Sequence, residues 1–243
     1  MKKYWLLPFA VVLCPLALLL HWPLLDRCWL RYYDWTHHNP PVHHRDELRT
    51  RLTQYERIPY AALGAPYLTA TKSDQGAYAD LLRSSQYYRI RREHLYQKVV
   101  GDFRLRDFIC KDQYYQQCLR DGEVELRVLL DEKMLLKTLE LQEALRKRNA
   151  DPQGFSIVNG YRHPAYNERV GGAPASRHLL GQAVDIAVGD VNRDGRTDQQ
   201  DKRILLEILE NEVIKDGGGI GRYPGTLTIH YDVRGRRARW DRY

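Results

Sequence analysis

Residues 160–185 have the sequence GYRHPAYNERVGGAPASRHLLGQAVD, and residues 228–232 have the sequence TIHYD. These two segments supply two imidazoles and one carboxylate, from His178, Asp185 and His230. A zinc site with three such protein ligands leaves its fourth tetrahedral position free for water, whereas a structural site fills that position with another protein ligand. The pattern therefore predicts a metal-dependent hydrolase.

The residues around both segments alternate with a period of two, which is typical of β-strands. In residues 182–188, Asp185 and small side chains alternate with apolar ones, and residues 226–232 repeat the pattern around His230. Two adjacent strands with apolar backs in the core would point both side chains into one cleft. His178 would reach the same cleft from the turn SRHLLG. The alternative for each residue alone is a hydrogen-bonded structural side chain.

The segment SRHLLGQAVD matches the S-x-H-x-x-G-x-A-x-D signature of the zinc D-alanyl-D-alanine peptidases, and the chain resembles that family. Its GYRHPAYN and HYDVRG are similar to the GYRSPAYN and HVDVRG of one branch, and the resemblance runs from about Phe103 to the C-terminus. The resemblance implies a zinc ion held by His178, Asp185 and His230. It also implies hydrolysis of D-amino-acid-containing stem or crosslink peptides of peptidoglycan, by a DD-carboxypeptidase or an endopeptidase.

The same resemblance implies roles for the residues around the metal. Arg162 matches the arginine that holds a substrate carboxylate or carbonyl, a task that suits a planar guanidinium. Ser176 is similar to the serine that helps to fix the peptide. Some relatives carry an acid three positions before the last histidine, where this chain has Leu227. Asp232 is then the candidate general base, and its alternative role is to orient a ligand histidine.

The missing acid at position 227 keeps a second function open. The chain would then be a non-catalytic, membrane-tethered module that binds peptidoglycan and retains the metal fold. Digestion of purified sacculi distinguishes this module from a peptidase.

Residues 190–201, DVNRDGRTDQQD, resemble a dockerin-type calcium loop. Oxygen donors occupy positions one, three, five, nine and twelve, glycine occupies position six, and position seven would contribute its backbone carbonyl. The predicted calcium ligands are Asp190, Asn192, Asp194, Arg196, Asp198 and Asp201. The alternative is a polar turn that only caps the following helix.

The N-terminus predicts a membrane segment. Two lysines after Met1 precede the uncharged run Tyr4 to Leu25, which is long enough to span a bilayer. No small-x-small cleavage site follows, so we expect an uncleaved signal anchor. Together with the peptidoglycan substrate, this predicts a single-pass protein of the bacterial cytoplasmic membrane, with its catalytic domain on the periplasmic or extracellular side.

The predicted fold is α+β, with helices packed on a small, mainly antiparallel sheet that carries the zinc cleft, plus an N-terminal transmembrane helix and a helical juxtamembrane region. The predicted divisions are a signal anchor at residues 1–28, a linker and helical region at 29–100, and the peptidase domain at 101–243. Cys110 and Cys118 would either close a small disulfide loop or remain thiols.

The net charge of +7 and the pI of about 9.2 suit anionic polymers of the cell envelope. They are also compatible with nucleic acid. No nucleic-acid fold signature accompanies the charge, so we expect peptidoglycan peptides and no nucleic-acid partner.

Overall fold

The computed structural model describes residues 22–122 and 124–241, and the chain divides into two compact units, residues 1–40 and 41–243. The first unit contains helix α1, Trp22–Thr36. The Thr36 hydroxyl donates to the Tyr32 carbonyl oxygen at 2.9 Å, and the rings of Tyr33 and His37 stack with centroids 4.1 Å apart. These local contacts hold the end of α1.

The prediction of a transmembrane helix over residues 1–28, and with it the single-pass membrane location, is wrong for the described residues. Within residues 22–122 and 124–241 no helix is sufficiently long and apolar to cross a bilayer. Helix α1 overlaps the end of the predicted span and carries charged side chains, such as Arg31 and Asp34, which are costly in hydrocarbon. Residues 1–21 lie outside the described part of the chain.

The second unit contains helices and strands interspersed along the chain. The helices are α2 (Arg45–Leu52), α3 (Ala65–Thr71), α4 (Ala79–Arg83), α5 (Gln113–Arg120), α6 (Glu132–Lys147), α7 (Pro164–Arg169) and α8 (Gln199–Ile208). The strands are β1 (Glu56–Pro59), β2 (Gln86–Ile90), β3 (Lys98–Val100), β4 (Phe103–Arg104), β5 (Leu126–Val128), β6 (Phe155–Asn159), β7 (Ala183–Val188), β8 (Gly219–Gly221), β9 (Thr228–Asp232) and β10 (Ala238–Trp240).

These strands form sheets that make the fold α+β. One sheet has the strand order β10-β8-β9-β7-β6, in which β10 pairs with β8 in parallel and the other neighbours are antiparallel. A second sheet has the order β1-β2-β5, and β3 pairs with β4. The region predicted to be a helical juxtamembrane segment therefore contains strands β1, β2 and β3. Ile58 of β1 and Ile90 of β2 are buried in the core of this unit. They can reach it because alternate side chains of a strand point to the same face of the sheet.

The register between β7 and β9 fixes which side chains share a face. Asp185 pairs directly with His230, and Ala183 pairs with Asp232. The alternate residues point to the core, where Ile186 is fully buried. The observed alternation follows from the period of two of a β-strand.

Helix α6 supports the apolar back of this sheet. Its N-cap is Asp131, whose side chain accepts a hydrogen bond from the Lys133 N–H at 2.8 Å. Its buried Thr138 hydroxyl lies 2.9 Å from the Tyr231 hydroxyl of β9. The helix thus contacts the strand that carries His230 from the side opposite the cleft.

Candidate metal centre

Two paired strands and one turn bring the predicted zinc ligands together. Asp185 on β7 and His230 on β9 are directly opposed in the antiparallel ladder, so their side chains lie on the same face. His178 comes from a short 3-10 turn that ends at Gly181, whose φ of 65° is left-handed. All three side chains are buried at the floor of one cleft.

The donor atoms of these residues form a small triangle. His178 Nε2 lies 3.2 Å from both Asp185 Oδ1 and His230 Nδ1, and the latter two atoms are 2.8 Å apart. Ligand atoms around a tetrahedral zinc ion stand about 3.3 Å from one another, given metal–ligand distances of about 2.0 Å. The residues therefore fit a zinc ion both in chemical type and in spacing.

Outer hydrogen bonds determine which nitrogen of each histidine faces the centre. His178 Nδ1 lies 2.6 Å from the Gly160 carbonyl oxygen, which can only accept, so Nδ1 donates and Nε2 presents a lone pair. His230 Nε2 lies 3.2 Å from Asp232 Oδ2, so it donates to the carboxylate and Nδ1 is the nitrogen that faces the centre. Metal-binding histidines characteristically have such an oxygen partner on the outer nitrogen.

Burial and hydrogen bonds shift the pKa values of these groups in different directions. Burial lowers the pKa of His178, against the opposing charge of Asp185. Burial raises the pKa of Asp185, but the charges and hydrogen bonds of both histidines outweigh it and hold that pKa well below its usual range. Burial also opposes protonation of His230, yet its hydrogen bonds to Asp185 and Asp232 raise its pKa overall, so a metal ion would displace the proton that Nδ1 shares with Asp185. Asp185 therefore stays ionised, the form that binds a metal.

Asp232 lies behind His230 rather than at the open side of the cleft. Its side chain is fully buried, and its Oδ1 accepts from the backbone N–H groups of Gly219 and Arg234, each at 3.1 Å. The Arg234 guanidinium donates to Oδ2 at 2.6 Å. Burial raises the pKa of Asp232, but the hydrogen bonds from His230 and Arg234 outweigh it and lower that pKa. These contacts favour orientation of His230 over proton transfer to a substrate.

Arg162 and Ser176 both line the cleft. The Arg162 guanidinium donates to the second oxygen of Asp185, and its backbone N–H donates to the His178 carbonyl oxygen at 3.1 Å. Its buried Nε makes no hydrogen bond with the described residues. Ser176 is partly buried and begins the turn that carries His178. Arg162 thus contacts the carboxylate of Asp185, a predicted zinc ligand, in addition to its predicted role in holding the substrate.

The cleft has further walls that the sequence analysis did not single out. It has a volume of about 280 Å³, and Tyr223, Arg234 and Trp240 contribute to its lining. The Trp240 ring lies 5.2 Å from the His230 ring, and the Arg234 guanidinium lies 5.0 Å above Trp240. Arg234 is the arginine of the HYDVRG motif, so the sequence could have indicated its place at the site. No sequence motif indicated Trp240, because the parallel pairing of β10 with β8 brings it to the cleft.

In the predicted calcium loop, carboxylate side chains accept hydrogen bonds from backbone N–H groups of the same loop. Asp190 accepts from the N–H groups of Asp194 and Gly195, at 3.1 and 2.9 Å. Asp201 is fully buried and accepts from the N–H groups of Val191 at 2.8 Å and Asp198 at 2.9 Å. Gly195 has a φ of 83°, the left-handed turn that the glycine at position six predicts. Asp201 also completes a capping box at the start of α8.

Calcium binding at this loop is not shown. Among residues 22–122 and 124–241, two groups of at least three His, Cys, Asp or Glu side chains hold ligand atoms within 4.8 Å of one another, and neither lies in the loop. One group is the triangle described above. The other comprises Cys110, Asp112 and His163.

The sequence analysis did not identify this second group. His163 Nε2 lies 2.6 Å from Asp112 Oδ2, and its Nδ1 accepts from the Tyr166 N–H at 3.2 Å. Asp112 also caps α5 by accepting from the Tyr115 N–H at 2.8 Å. Burial raises the pKa of the Cys110 thiol to about 12, so it stays protonated and unreactive. The hydrogen bonds of Asp112 and His163 hold the starts of α5 and α7 together. Cys110 and Cys118 are both free thiols.

One known protein family matches the part of the chain that contains this site. The model of the family described as Peptidase M15 matches residues 102–232, more than half of the chain. The match covers every predicted zinc ligand and ends before Arg234 and Trp240. No curated protein and no solved structure matches the chain.

Proposed function

Because the chain belongs to the Peptidase M15 family, we propose that it is a zinc peptidase that hydrolyses D-amino-acid-containing stem or crosslink peptides of peptidoglycan, as a DD-carboxypeptidase or an endopeptidase. The observation that carries the proposal is the triangle of His178, Asp185 and His230. Both histidines turn one ring nitrogen to the same point, and the third donor is an ionised carboxylate. A closed structural site would have a fourth protein ligand.

The residues of the chain hold and orient the reactants in this proposal. A zinc ion bound by the triangle would activate a water molecule and polarise the scissile carbonyl. The Gly160 carbonyl and the Asp232 carboxylate keep the ligand histidines in their productive tautomers. Arg162 and Ser176 line the cleft, where they bind the substrate's carboxylate or carbonyl and its peptide groups. Asp232 acts through His230 as a positioning residue.

The experiment is digestion of purified sacculi by the full-length protein, followed by analysis of the released muropeptides. We expect products that disappear with a chelator and return when Zn²⁺ is added. A His178→Ala variant removes one donor of the triangle and should lose measurable activity, whereas His43→Ala changes an exposed histidine outside the centre and should retain it. Release of terminal D-alanine would identify a carboxypeptidase, and cleavage of crosslinks an endopeptidase. Equal activity of His178→Ala and wild type would overturn the proposal.

One observation favours the second candidate, a non-catalytic module that binds peptidoglycan. Among the described residues that line the cleft, Asp185 is the acidic one, and it is already a proposed zinc ligand. Position 227 holds leucine and Asp232 is buried behind His230, so neither position supplies a general base at the cleft. Such a module would sediment with sacculi without releasing any product. The same digestion therefore distinguishes the two functions.

We also propose that the loop of residues 190–201 binds calcium in a structural role. The support is the spacing of its oxygen donors and the left-handed Gly195 at position six. Added Ca²⁺ should raise the melting midpoint of the chelator-treated protein, because binding to the folded state alone stabilises it. An Asp194→Ala variant removes a donor that is exposed to solvent and should abolish that shift. Equal midpoints with and without Ca²⁺ would leave the polar turn that caps α8 as the correct account.

A further inference from the structure

The metal cleft carries more positive than negative side chains. Among the described residues that line it, the charged ones besides the two histidines are Arg162, Arg177, Arg234 and Asp185. Two of these arginines contact a carboxylate, because Arg162 donates to Asp185 and Arg234 donates to the buried Asp232 at 2.6 Å. The third arginine, Arg177, therefore determines the remaining charge of the cleft.

Arg177 forms no ion pair within the part of the chain that the structure describes. Its Nη1 donates to the Gln182 side-chain oxygen at 3.2 Å, and its guanidinium lies 5.6 Å from the centroid of the Tyr78 ring. One partner is an amide and the other is an aromatic ring. The Asp131 carboxylate beyond Gln182 is occupied, since it accepts from Gln182 Nε2 at 3.0 Å and from the Lys133 N–H at 2.8 Å. The charge of Arg177 thus has no counter-charge in contact with it.

The contacts of Arg177 hold its guanidinium in one place. The Tyr78 ring supports the guanidinium, and the Tyr78 hydroxyl is itself fixed because it donates to the Ala175 carbonyl oxygen at 3.0 Å. The Gln182 N–H donates to the Arg177 carbonyl oxygen at 3.1 Å, so both residues belong to one turn. Arg177 is half-buried rather than enclosed, and its other N–H groups can reach a ligand. An arginine that is already oriented loses less conformational entropy when it binds.

The chemistry of this arginine matches a carboxylate. The planar guanidinium can donate two parallel hydrogen bonds to the two oxygens of a carboxylate, and such charge-assisted bonds are stronger than neutral ones. Partial burial strengthens the attraction, because charges interact more strongly where water is excluded. A primary amide has a similar shape but carries no charge and has one acceptor oxygen. Arg177 can therefore distinguish a carboxylate from the corresponding amide.

We propose that Arg177 is a specificity-determining residue that binds a carboxylate of the peptide substrate, in addition to the group that Arg162 holds. The inference rests on the proposed peptidase function and names its substrate class, which is stem peptides with a free internal carboxylate near the scissile bond. Peptides in which that group is amidated bind less tightly. Tyr78 precedes residues 102–232, so a segment outside the family match positions this arginine.

The first experiment compares stem peptides that differ by one charge. Each internal carboxyl group of a parent peptide is amidated in turn, and kcat/KM is measured with wild type for every peptide. One amidation should lower kcat/KM about tenfold, mainly through KM, because a charge-assisted contact shared by the ground and transition states is lost. Equal kcat/KM for the parent and all amidated peptides would overturn the proposal.

Arg177→Gln removes the charge and retains a polar side chain. The ratio of kcat/KM for the parent and the sensitive amidated peptide should fall from about ten to about one, because the coupling in a double-mutant cycle belongs to the interacting pair. Arg169→Gln is the matched control, since Arg169 is exposed, lies 4.8 Å from the centroid of the Tyr166 ring and is outside the cleft. It should keep the wild-type ratio. A wild-type ratio in Arg177→Gln would reject the contact.

A second variant keeps the test decisive if Arg177→Gln does not fold. Arg177→Lys retains the charge without the planar fork, so its ratio should lie between about one and about ten. High salt should lower the ratio in wild type, because it screens a partly exposed charge. Zinc content, measured by metal analysis, shows whether each variant retains the metal centre. A ratio that changes neither in Arg177→Lys nor with salt would contradict a carboxylate at Arg177.

Failure of the function and failure of the carboxylate contact give different results. If wild type hydrolyses the peptides without preference, only the contact fails. If wild type hydrolyses none of them, the peptidase proposal fails, and calorimetric binding to full-length wild type and Arg177→Gln decides the contact alone. Tighter binding of the parent than of an amidated peptide by wild type, with equal binding by Arg177→Gln, supports it. Equal or absent binding of all the peptides by wild type rejects it.

Discussion

At the scale of single residues, hydrogen bonds with neighbouring groups hold the two histidines proposed as zinc ligands. The Gly160 carbonyl fixes His178, and the Asp232 carboxylate fixes His230. Asp232 is itself held by Arg234 and by the Gly219 N–H, so the ring of His230 has little freedom to turn. A ligand that is already oriented loses less conformational entropy when a metal binds.

The positioning role of Asp232 predicts a specific effect of Asp232→Asn. We expect the affinity for zinc to fall about 10–100-fold, as is typical when an outer partner of a ligand is changed. Hydrolysis should recover at saturating zinc, because the reacting groups remain in place. Zinc affinity is measured by competition with a chromophoric chelator, and activity is measured across a zinc titration.

Asp216→Asn is the matched control, since that carboxylate is exposed and pairs with Arg237 at the surface. It should leave zinc affinity unchanged. Full zinc affinity of Asp232→Asn with activity lost at every zinc concentration would instead assign Asp232 as the general base.

The proximity of the three proposed zinc ligands could be predicted from the sequence because their motif encodes local geometry. Strand alternation predicted that Asp185 and His230 share a face, and the structure pairs them directly. The tautomers could not be predicted, since the Gly160 carbonyl reaches His178 only after the chain has folded. Trp240 was missed for the same reason, because the β8–β10 pairing creates its contact with His230.

At the scale of elements, the turn that carries His178 depends on a close approach of two backbone segments. Gly181 ends the turn with left-handed geometry, and its N–H donates to the His178 carbonyl oxygen at 3.2 Å. A Cβ at this position would lie 2.2 Å from the Leu129 carbonyl oxygen, and Leu129 belongs to the segment that leads into α6. The turn is therefore packed tightly against that segment.

We therefore predict that Gly181→Ala destabilises the protein and disturbs zinc binding. The left-handed backbone costs about 1–2 kcal/mol for a residue with a Cβ. The overlap with Leu129 adds about 1–3 kcal/mol, in line with overpacked cores. The free energy of unfolding is measured with urea, and zinc stoichiometry by metal analysis.

Gly225→Ala separates the two causes, because Gly225 has a φ of 78° and no atom within 4 Å of an added Cβ. It should show only the backbone cost and bind zinc as wild type does. Equal destabilisation by both substitutions would mean that contact with Leu129 contributes nothing.

The elements of residues 46–100 were predicted less well than those around the metal. Charged and tyrosine-rich sequence there suggested helices, yet Tyr87 and Ile90 belong to strand β2. Aromatic and β-branched residues favour strands once a partner is available. The partners of β2 are β1 and β5, which lie about thirty residues earlier and about forty residues later in the chain, so a local pattern could not reveal them.

At the scale of the whole molecule, residues 41–100 share a core with the part of the chain that matches the family. Val42 exchanges backbone hydrogen bonds with Gly101, at 3.1 and 2.6 Å. Leu48 and Leu95 are fully buried in the same hydrophobic cluster as Leu141 of α6. Burial of a leucine side chain stabilises the fold by about 1.5–3 kcal/mol, so this region contributes substantially to stability.

Truncation tests the division of the chain into domains. We expect residues 41–243 to fold cooperatively, because they form a compact unit. Residues 101–243, the peptidase domain proposed from the sequence, should fail to fold alone, since removal of residues 41–100 takes away buried members of the shared hydrophobic cluster, such as Leu48 and Leu95. Circular dichroism melts of both fragments provide the measurement. Cooperative melting of residues 101–243 near the midpoint of the longer fragment would show that they fold independently.

The direct pairing of Asp185 with His230 also limits how the chain can change in length. Inserting one residue within β7 or β9 would reverse the orientation of every later side chain in that strand and send a zinc donor into the apolar interior. Residues 189–227 connect the two strands, and length changes at their exposed turns leave this pairing intact. Insertions and deletions among homologues should therefore accumulate in the connection and be excluded from the two strands.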